Sequence, residues 1–264
     1  MINGHFVTHF IKHYWSATRI DVLHSPFIFN LYNTCIARQP KPEELKPVED
    51  LREQAFHDHT LLTQHDLGAG GRKNNARKKP VSFFAKVHAK PKRIAHIIYR
   101  MVKKYGYENC MELGTSLGFT SMCIAKALPK NGHLKTIEGA PELAAVAQKH
   151  FNALSLQNKI ELLTGNFDEV LPEMIKKHGT IDFAFIDGNH TYESTMDYFK
   201  QLLFKVNNNS VLIFDDIYWS KGMTRAWEEI KQHPEVSVTV DLFFIGLVYF
   251  RTEQVKEHFV LRVL

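Results

Sequence analysis

The sequence predicts an α/β fold: a doubly wound, mainly parallel seven-stranded sheet with an antiparallel C-terminal hairpin, preceded by a helical extension. Three observations carry this expectation. From about residue 109 onward, short apolar runs alternate with amphipathic stretches, the pattern of βαβ units. The last two apolar runs follow one another with no helix between them. Ahead of this region, aromatic residues recur at helical spacing.

The elements follow in order. Phe6, Phe10 and Tyr14, with Ile11, form an apolar stripe in the first helix. Ser25 before Pro26 reads as an N-cap followed by proline at the first helical position. Pro40, Pro42 and Pro47 mark a turn-rich connection, and a further helix is expected near 49–59. Residues 67–80 hold Gly68, Gly70 and Gly71 among many cations and read as a loop, followed by a helix over 91–105. Strands are expected at 109–113, 134–138, 160–164, 183–186, 210–214, 236–242 and 247–251. Helices are expected at 120–128, 141–154, 167–177, 192–203 and 223–232. The implied organisation is a helical extension over 1–66, a basic, glycine-containing loop or lid over 67–90, and the α/β domain over 91–264.

Composition narrows the function classes. The chain has 264 residues, 44% hydrophobic and 23% charged, with a net charge of +5. That is ordinary globular composition and excludes a disordered, collagenous or coiled-coil chain. The charge is local. Between Leu67 and Tyr107 there is no Asp or Glu but twelve Lys and Arg, and without those twelve the rest stands at −7. Such a segment reads either as a mobile lid over an acidic ligand or as a nucleic-acid footprint over 72–104. Only Phe83 and Phe84 interleave it with aromatics, so the lid reading is preferred. Cys35, Cys110 and Cys123 form no paired pattern, which fits a reducing, cytoplasmic compartment. No apolar run is long enough for a membrane span, and the N-terminus does not read as a signal peptide.

In open α/β sheets, ligands bind beyond the carboxyl ends of the strands, so the chemistry is sought there. The first strand ends in Glu112-Leu113-Gly114-Thr115-Ser116-Leu117-Gly118-Phe119. Gly114 suits a tight turn and Gly118 a close backbone approach to a ligand. The pattern is GxSxGF and not GxGxxG, which suits a nucleotide ligand without a pyrophosphate. Glu138 ends the second strand, 24 positions after Gly114, where a carboxylate can accept from both ribose hydroxyls. Asn166 could read an adenine edge and Phe167 could lie on its face. Asp187 to His190 follow the fourth strand, and Asp215-Asp216 to Trp219 follow the fifth.

These runs, ELGTSLGFTS, KTIEGAP, GNFDEVLP, FIDGNHTYE and VLIFDDIYW in that order, resemble the class I S-adenosylmethionine-dependent methyltransferases, with their Rossmann-like fold. Within them the closest likeness is to the catechol O-methyltransferase-like and cephalosporin-hydroxylase-like small-molecule branches. The resemblance covers about residues 91–264. It implies S-adenosyl-L-methionine as cofactor, with Gly114, Ser116 and Gly118 approaching it by backbone and Glu138 on the ribose. It further implies that Asn166 and Phe167 frame the adenine, that Glu112 orients the loop or the amino group, and that Asp187 borders the cofactor. In the metal-dependent members a divalent cation such as Mg2+ is held by positions matching Asp187, Asp215 and Asp216. Asp216 departs from the usual asparagine. His190 stands where those enzymes place a lysine base, so Asp187 and His190 are the catalytic expectation. The partner implied is a small-molecule acceptor methylated on oxygen. Two other classes stay open: a nucleic-acid methyltransferase or binding protein using the basic segment, and a non-catalytic nucleotide-binding module. A homodimer also stays open.

Other features have plainer readings. His5, His9 and His13 share a helix face and read as surface or interface histidines more readily than as a metal ladder. Asp66-Leu67-Gly68-Ala69-Gly70 imitates a second nucleotide loop, but 61–65 makes a poor buried strand, so it reads as a flexible loop. Cys110 and Cys123 read as buried small residues, and Trp219 as a candidate wall for the acceptor.

Overall fold

The computed structural model describes residues 4–19, 23–37, 41–64, 77–177 and 179–263. The chain divides into two compact units, Gln39–Lys176 and a unit built from Met1–Arg38 with Lys177–Leu264. We call them the central and the terminal unit.

The terminal unit opens with α1 (Gly4–Ser16) and α2 (Pro26–Leu31). Ser25 caps α2 by accepting from the Ile28 N–H, with Pro26 at the first position. A π-helical turn, Tyr32–Ile36, extends it.

In the central unit, a 3-10 turn (Glu43–Leu45) leads into α3 (Lys46–Phe56). A hairpin follows, β1 (Leu61–Gln64) against β2 (Arg77–Pro80), antiparallel with Leu61 opposite Pro80. Then come α4 (Val81–His88) and α5 (Lys92–Tyr105). Helix α5 turns Ile94, Ile97, Ile98, Met101 and Val102 inward and ends at Gly106, whose left-handed φ of 63° lets its N–H reach the Val102 carbonyl. Three parallel strands with their helices complete the unit: β3 (Asn109–Leu113), α6 (Phe119–Ala127), β4 (His133–Glu138), α7 (Pro141–Ala153), β5 (Ile160–Thr164) and α8 (Phe167–Lys177). Strand β4 pairs with β3 on one side and β5 on the other. Residues 110–113 are all buried, as a strand covered on both faces requires.

The terminal unit continues with β6 (Phe183–Ile186), α9 (Tyr192–Leu203), β7 (Val211–Asp215) and α10 (Lys221–Gln232). It closes with β8 (Val238–Asp241), β9 (Ile245–Tyr249) and β10 (Glu257–Val260). Strands β6 and β7 are parallel; β9 runs antiparallel to both β7 and β8.

This is the expected mainly parallel α/β fold with antiparallel strands near the C-terminus and N-terminal helices. Two details differ from the sequence reading. Strand β10 lies parallel to β8, so the described residues of the terminal unit hold five strands where four were expected. The strand opens on the polar pair Glu257-His258 and runs into the apolar Phe259-Val260-Leu261, a run the sequence reading did not assign to a strand. Residues 61–64 do form a strand, but in an exposed hairpin: Leu61 is 60% exposed. The segment 67–90 contains β2 and α4 in its described part; the imitation nucleotide loop at 66–70 lies outside the described residues. No helix among the described residues is long and apolar enough to cross a membrane.

Helix α1 is fastened by a polar cluster at Asp241, which is buried. Asp241 accepts from the Phe243 N–H at 2.8 Å and from the Tyr218 hydroxyl, and its Oδ1 lies 3.2 Å from the His13 Nε2. Phe6, Phe10 and His13 meet the Phe243 ring edge-on. The three histidines of α1 thus have separate partners, His5 on Thr224, His9 stacked on Tyr218 and His13 on Asp241, an intramolecular face and not a metal ladder. Asp241→Ala strands a buried hydroxyl, an imidazole and an N–H together, so we expect a loss of about 2–4 kcal/mol in urea denaturation. A loss below about 0.5 kcal/mol, the range of an ordinary surface change, would contradict this anchoring.

Candidate active site

The loop between β3 and α6 enters the left-handed region three times, at Gly114 (φ 103°), Ser116 (φ 50°) and Gly118 (φ 83°). Gly114 and Thr115 both donate to the Ile137 carbonyl, which folds the loop over the end of β4. Ser116 carries a side chain where L-residues are strained. What holds it there is a bond from its N–H to the Glu138 Oε2 at 2.6 Å, a charge-assisted contact roughly twice as strong as a neutral one.

Glu138 is 8% exposed, and its Oε1 accepts the Ala140 N–H at 2.8 Å. Burial pushes its carboxyl above the usual range, against the backbone N–H groups of Ala140, Ser116 and Gly139. A carboxylate offers about four acceptor positions, so positions remain for a ligand's hydroxyls.

Beneath the loop, Glu112 is fully buried. Its Oε2 accepts from the Thr136 hydroxyl at 2.7 Å and from Ser121, while Thr136 also meets the Thr115 hydroxyl at 2.6 Å. This network ties β3, β4, α6 and the loop from below.

Gly118 was expected to allow close approach of a ligand. The close approach in the structure is internal: a Cβ there would sit 2.5 Å from the ring of Phe151, itself fully buried in α7. Gly165 ends β5 with φ 152° and donates to the Glu138 carbonyl. Asn166 is exposed and its Oδ1 accepts the Asp168 N–H at 3.1 Å; Phe167 beside it is half-buried.

Two contacts here had no signal in the sequence. His88, the last residue of α4, brings its Nδ1 to 3.3 Å from the Ser116 Oγ. The Thr63 N–H donates to Glu142 at the start of α7. Helix α4 therefore reaches the loop from 28 positions away, and the hairpin reaches the start of α7 from 79 positions away, distances at which no residue spacing is informative. His150 bonds the Leu117 carbonyl at 2.8 Å and stacks on Phe119.

The second group of chemistry-bearing residues lies in the terminal unit. Asp187 follows β6, Asp215 ends β7, and one ligand atom each of Asp187, His190 and Asp215 lie within 4.8 Å of one another. The His190 Nε2 is 3.5 Å from the Asp187 Oδ1 and 3.9 Å from the Asp216 Oδ2. The structure thus gathers Asp187, Asp215 and His190, while Asp216 borders the imidazole. None of the three aspartates serves as a helix cap: Thr191 caps α9 and Ser220 caps α10. Asn189 (φ 55°) and Asp216 (φ 54°) are held left-handed, Asn189 by bonds from its Nδ2 to Ser194 and Tyr198, Asp216 by donating to the Phe244 carbonyl. Trp219, 46% exposed, donates its N–H to the Asp216 carbonyl. Two carboxylates with an imidazole beside them are a donor set whose chemistry fits one divalent cation.

Comparison with known proteins follows the same residues. Positions 111–217 match a family described as a methyltransferase domain. A catechol O-methyltransferase from Niastella koreensis is 33% identical over 111 residues, 42% of this chain and 49% of that protein. Caffeoyl-CoA O-methyltransferase 2 from Petunia hybrida is 28% identical over 123 residues, 46% of this chain and 50% of that protein. The chain spans about half the length of these curated relatives. Among solved structures, the O-methyltransferase from Bacillus cereus in complex with SAH superposes with a TM-score of 0.56 at 20% identity, over 88% of this chain and all of that one.

Two outcomes follow from the local geometry. Gly118→Ala combines a positive φ with a clash against a buried ring, so we expect destabilisation by about 1–3 kcal/mol in urea denaturation; an unchanged midpoint would contradict the packing argument. Burial holds the His150 imidazole below its ordinary value of 6.5, against the Leu117 carbonyl that favours the charged form. The folded state therefore binds this proton less readily than the unfolded chain. The stability is present above about pH 6.5 and is lost as pH falls through that value toward the lower folded one. Melting temperature measured from pH 8 to pH 5 should fall less steeply in His150→Gln than in the wild type; parallel curves would contradict the assignment.

Proposed function

We propose that this chain, which carries a domain of the class I O-methyltransferase family, transfers the methyl group of S-adenosylmethionine to a hydroxyl oxygen of a small-molecule acceptor, assisted by a divalent cation. The observation that carries the proposal is the Glu138 corner: a buried carboxylate at a strand end, fixed by two backbone N–H groups and keeping acceptor positions for a ribose. In this reading the backbone at Gly114, Ser116 and Gly118 lines the methionine and ribose portions. Asn166 offers its Nδ2 to the adenine edge and Phe167 offers its face. Glu112 acts through the loop, not on the ligand, because it is fully buried.

Asp187 and Asp215 would hold the cation, with His190 beside them. Bound there, a divalent cation supplies the charge that lowers the pKa of an acceptor hydroxyl. His190 is the group to take the hydroxyl proton at its Nε2, for which the ring must be neutral. The acceptor oxygen then forms a bond to the sulfonium methyl as the carbon–sulfur bond breaks, its electron pair leaving with the thioether S-adenosylhomocysteine. That displacement needs mainly alignment and a short approach. Trp219 would wall the acceptor.

A nucleic-acid acceptor is the weaker reading. Within the acid-free segment, Lys92 pairs with Glu49 at 3.1 Å and Lys103 pairs with Glu44, so part of its charge is already answered by the helices before it. All three cysteines are buried and free, which suits a reducing, cytoplasmic setting.

The test is methyl transfer from labelled S-adenosylmethionine to catechol and to caffeoyl-CoA, with and without a chelator. We expect labelled product from at least one acceptor, lost on chelation. Asp187→Ala and Asp215→Asn should lower kcat by about 100-fold or more while S-adenosylhomocysteine still binds. Cofactor binding without transfer to either acceptor would contradict the acceptor class. Undiminished transfer in Asp187→Ala would contradict the cation site.

A further inference from the structure

Helix α1 is built inside out. A helix on a globular surface ordinarily turns its apolar face to the core. At about 100° per residue, His5, His9 and His13 share one face of α1, and Val7, Ile11, Tyr14 and Trp15 share the opposite one, with Phe10 at its edge. The histidine face is the one against the protein: His13 is the buried residue of the helix, His5 meets Thr224 and His9 stacks on Tyr218. The apolar face points away. Its five side chains are exposed, from 44% at Val7 to 79% at Trp15. Phe244, also exposed, prolongs the patch past Phe6, whose ring lies 6.4 Å from it. Single apolar residues scattered on a surface need no explanation, but a contiguous stripe of them marks an interaction site.

The charges beside the stripe have one sign. Helix α1 contains no Asp or Glu. Lys12 is exposed within it, and the Arg262 guanidinium lies over the Tyr14 ring at 3.8 Å, with its Nη2 donating to the Tyr14 carbonyl at 2.5 Å. The acids that act on the helix, Asp241 and Glu228, do so through His13 and His9, on the side against the protein.

We infer that this face docks the protein on an anionic lipid surface, with α1 in the plane of the interface, its apolar side chains at the acyl boundary and Lys12 and Arg262 at the level of the headgroup phosphates. Its 13 residues make a helix about 20 Å long, short of the roughly 30 Å of a bilayer core, so the helix lies on the membrane and does not cross it. Tyr14 and Trp15 together at one end suit the boundary layer, where a ring can be half apolar and half wet. A second copy of the chain is the poorer occupant. Stripe against stripe brings the Lys12 and Arg262 of both copies together with no acid from either α1 to offset them, whereas anionic headgroups do so. The inference does not rest on the methyltransferase reading.

The test is co-sedimentation of the full chain with vesicles of phosphatidylcholine alone and of phosphatidylcholine with about 30% phosphatidylserine, with tryptophan fluorescence read in parallel. We expect binding at least about tenfold tighter on the anionic vesicles, accompanied by a blue shift that Trp15→Phe abolishes. Ile11→Ser combined with Trp15→Ser should weaken binding about tenfold or more. Lys12→Gln should weaken it about fivefold. Attachment through the basic segment over 72–104 alone would leave the double variant bound as the wild type is, with no blue shift, and would overturn the inference. It is overturned equally by no binding to anionic vesicles at about 1 mM lipid, or by a concentration-dependent dimer in sedimentation velocity that Trp15→Ser dissolves. Trp15→Phe is a conservative change at an exposed position, so the blue shift decides the matter even if the double variant folds poorly.

Discussion

A buried carboxylate organises the central unit. Glu138 ends β4, and its two oxygens hold the N–H of Ser116 in the loop after β3 and that of Ala140 at the start of α7. Its carbonyl receives the Gly165 N–H from the end of β5. Three successive strand ends are thus joined through one residue. The cost of burying the charge shows in its raised carboxyl, and the surrounding N–H groups offset it. The same contact explains why the chain tolerates Ser116 at φ 50°: in the left-handed conformation its N–H turns back toward the carboxylate.

The terminal unit repeats this logic with different parts. Asn189 and Asp216 are also non-glycine residues held left-handed immediately beyond strands. Each is fixed by a bond that the strained conformation makes possible, Asn189 to Ser194 and Asp216 to the Phe244 carbonyl. Strain of this kind persists only where the surroundings overdetermine it. Here it accompanies the gathering of Asp187, His190 and Asp215, while Thr191 and Ser220 take over the capping that the aspartates might otherwise have done.

Much of this was legible in the residues, for physical reasons. Buried parallel strands are near-continuous apolar runs, so β6 (Phe183–Ile186) and β7 (Val211–Asp215) declare themselves, and the residue after each run follows at once. Glu138 was readable because a βαβ unit has a nearly fixed length, which places an acid about two dozen positions after the first glycine at the neighbouring strand end. The hairpin of β1 and β2 was not readable, since short four-residue strands need little hydrophobicity to pair, and β10 was missed although Phe259-Val260-Leu261 is apolar, because only three apolar residues follow the polar Glu257-His258. His88 against Ser116 was hidden for another reason: the contact depends on how α4 packs, and packing leaves no local period. The basic segment was half legible. Its charge is plain in the composition, but its pairing with Glu44 and Glu49 emerges only once α5 lies near α3. At Gly118 the structure adds a packing reason for glycine, the ring of Phe151.

The account turns on Glu138 serving as both structural corner and ribose acceptor. Titration calorimetry of S-adenosylhomocysteine into the wild type and into Glu138→Gln tests both roles together. An amide of the same shape keeps one acceptor oxygen but loses the charge that Ser116 and Ala140 both use. The account predicts a folded variant with a lowered melting temperature and S-adenosylhomocysteine affinity reduced by about 2–3 kcal/mol. A folded variant that binds with wild-type affinity would contradict it.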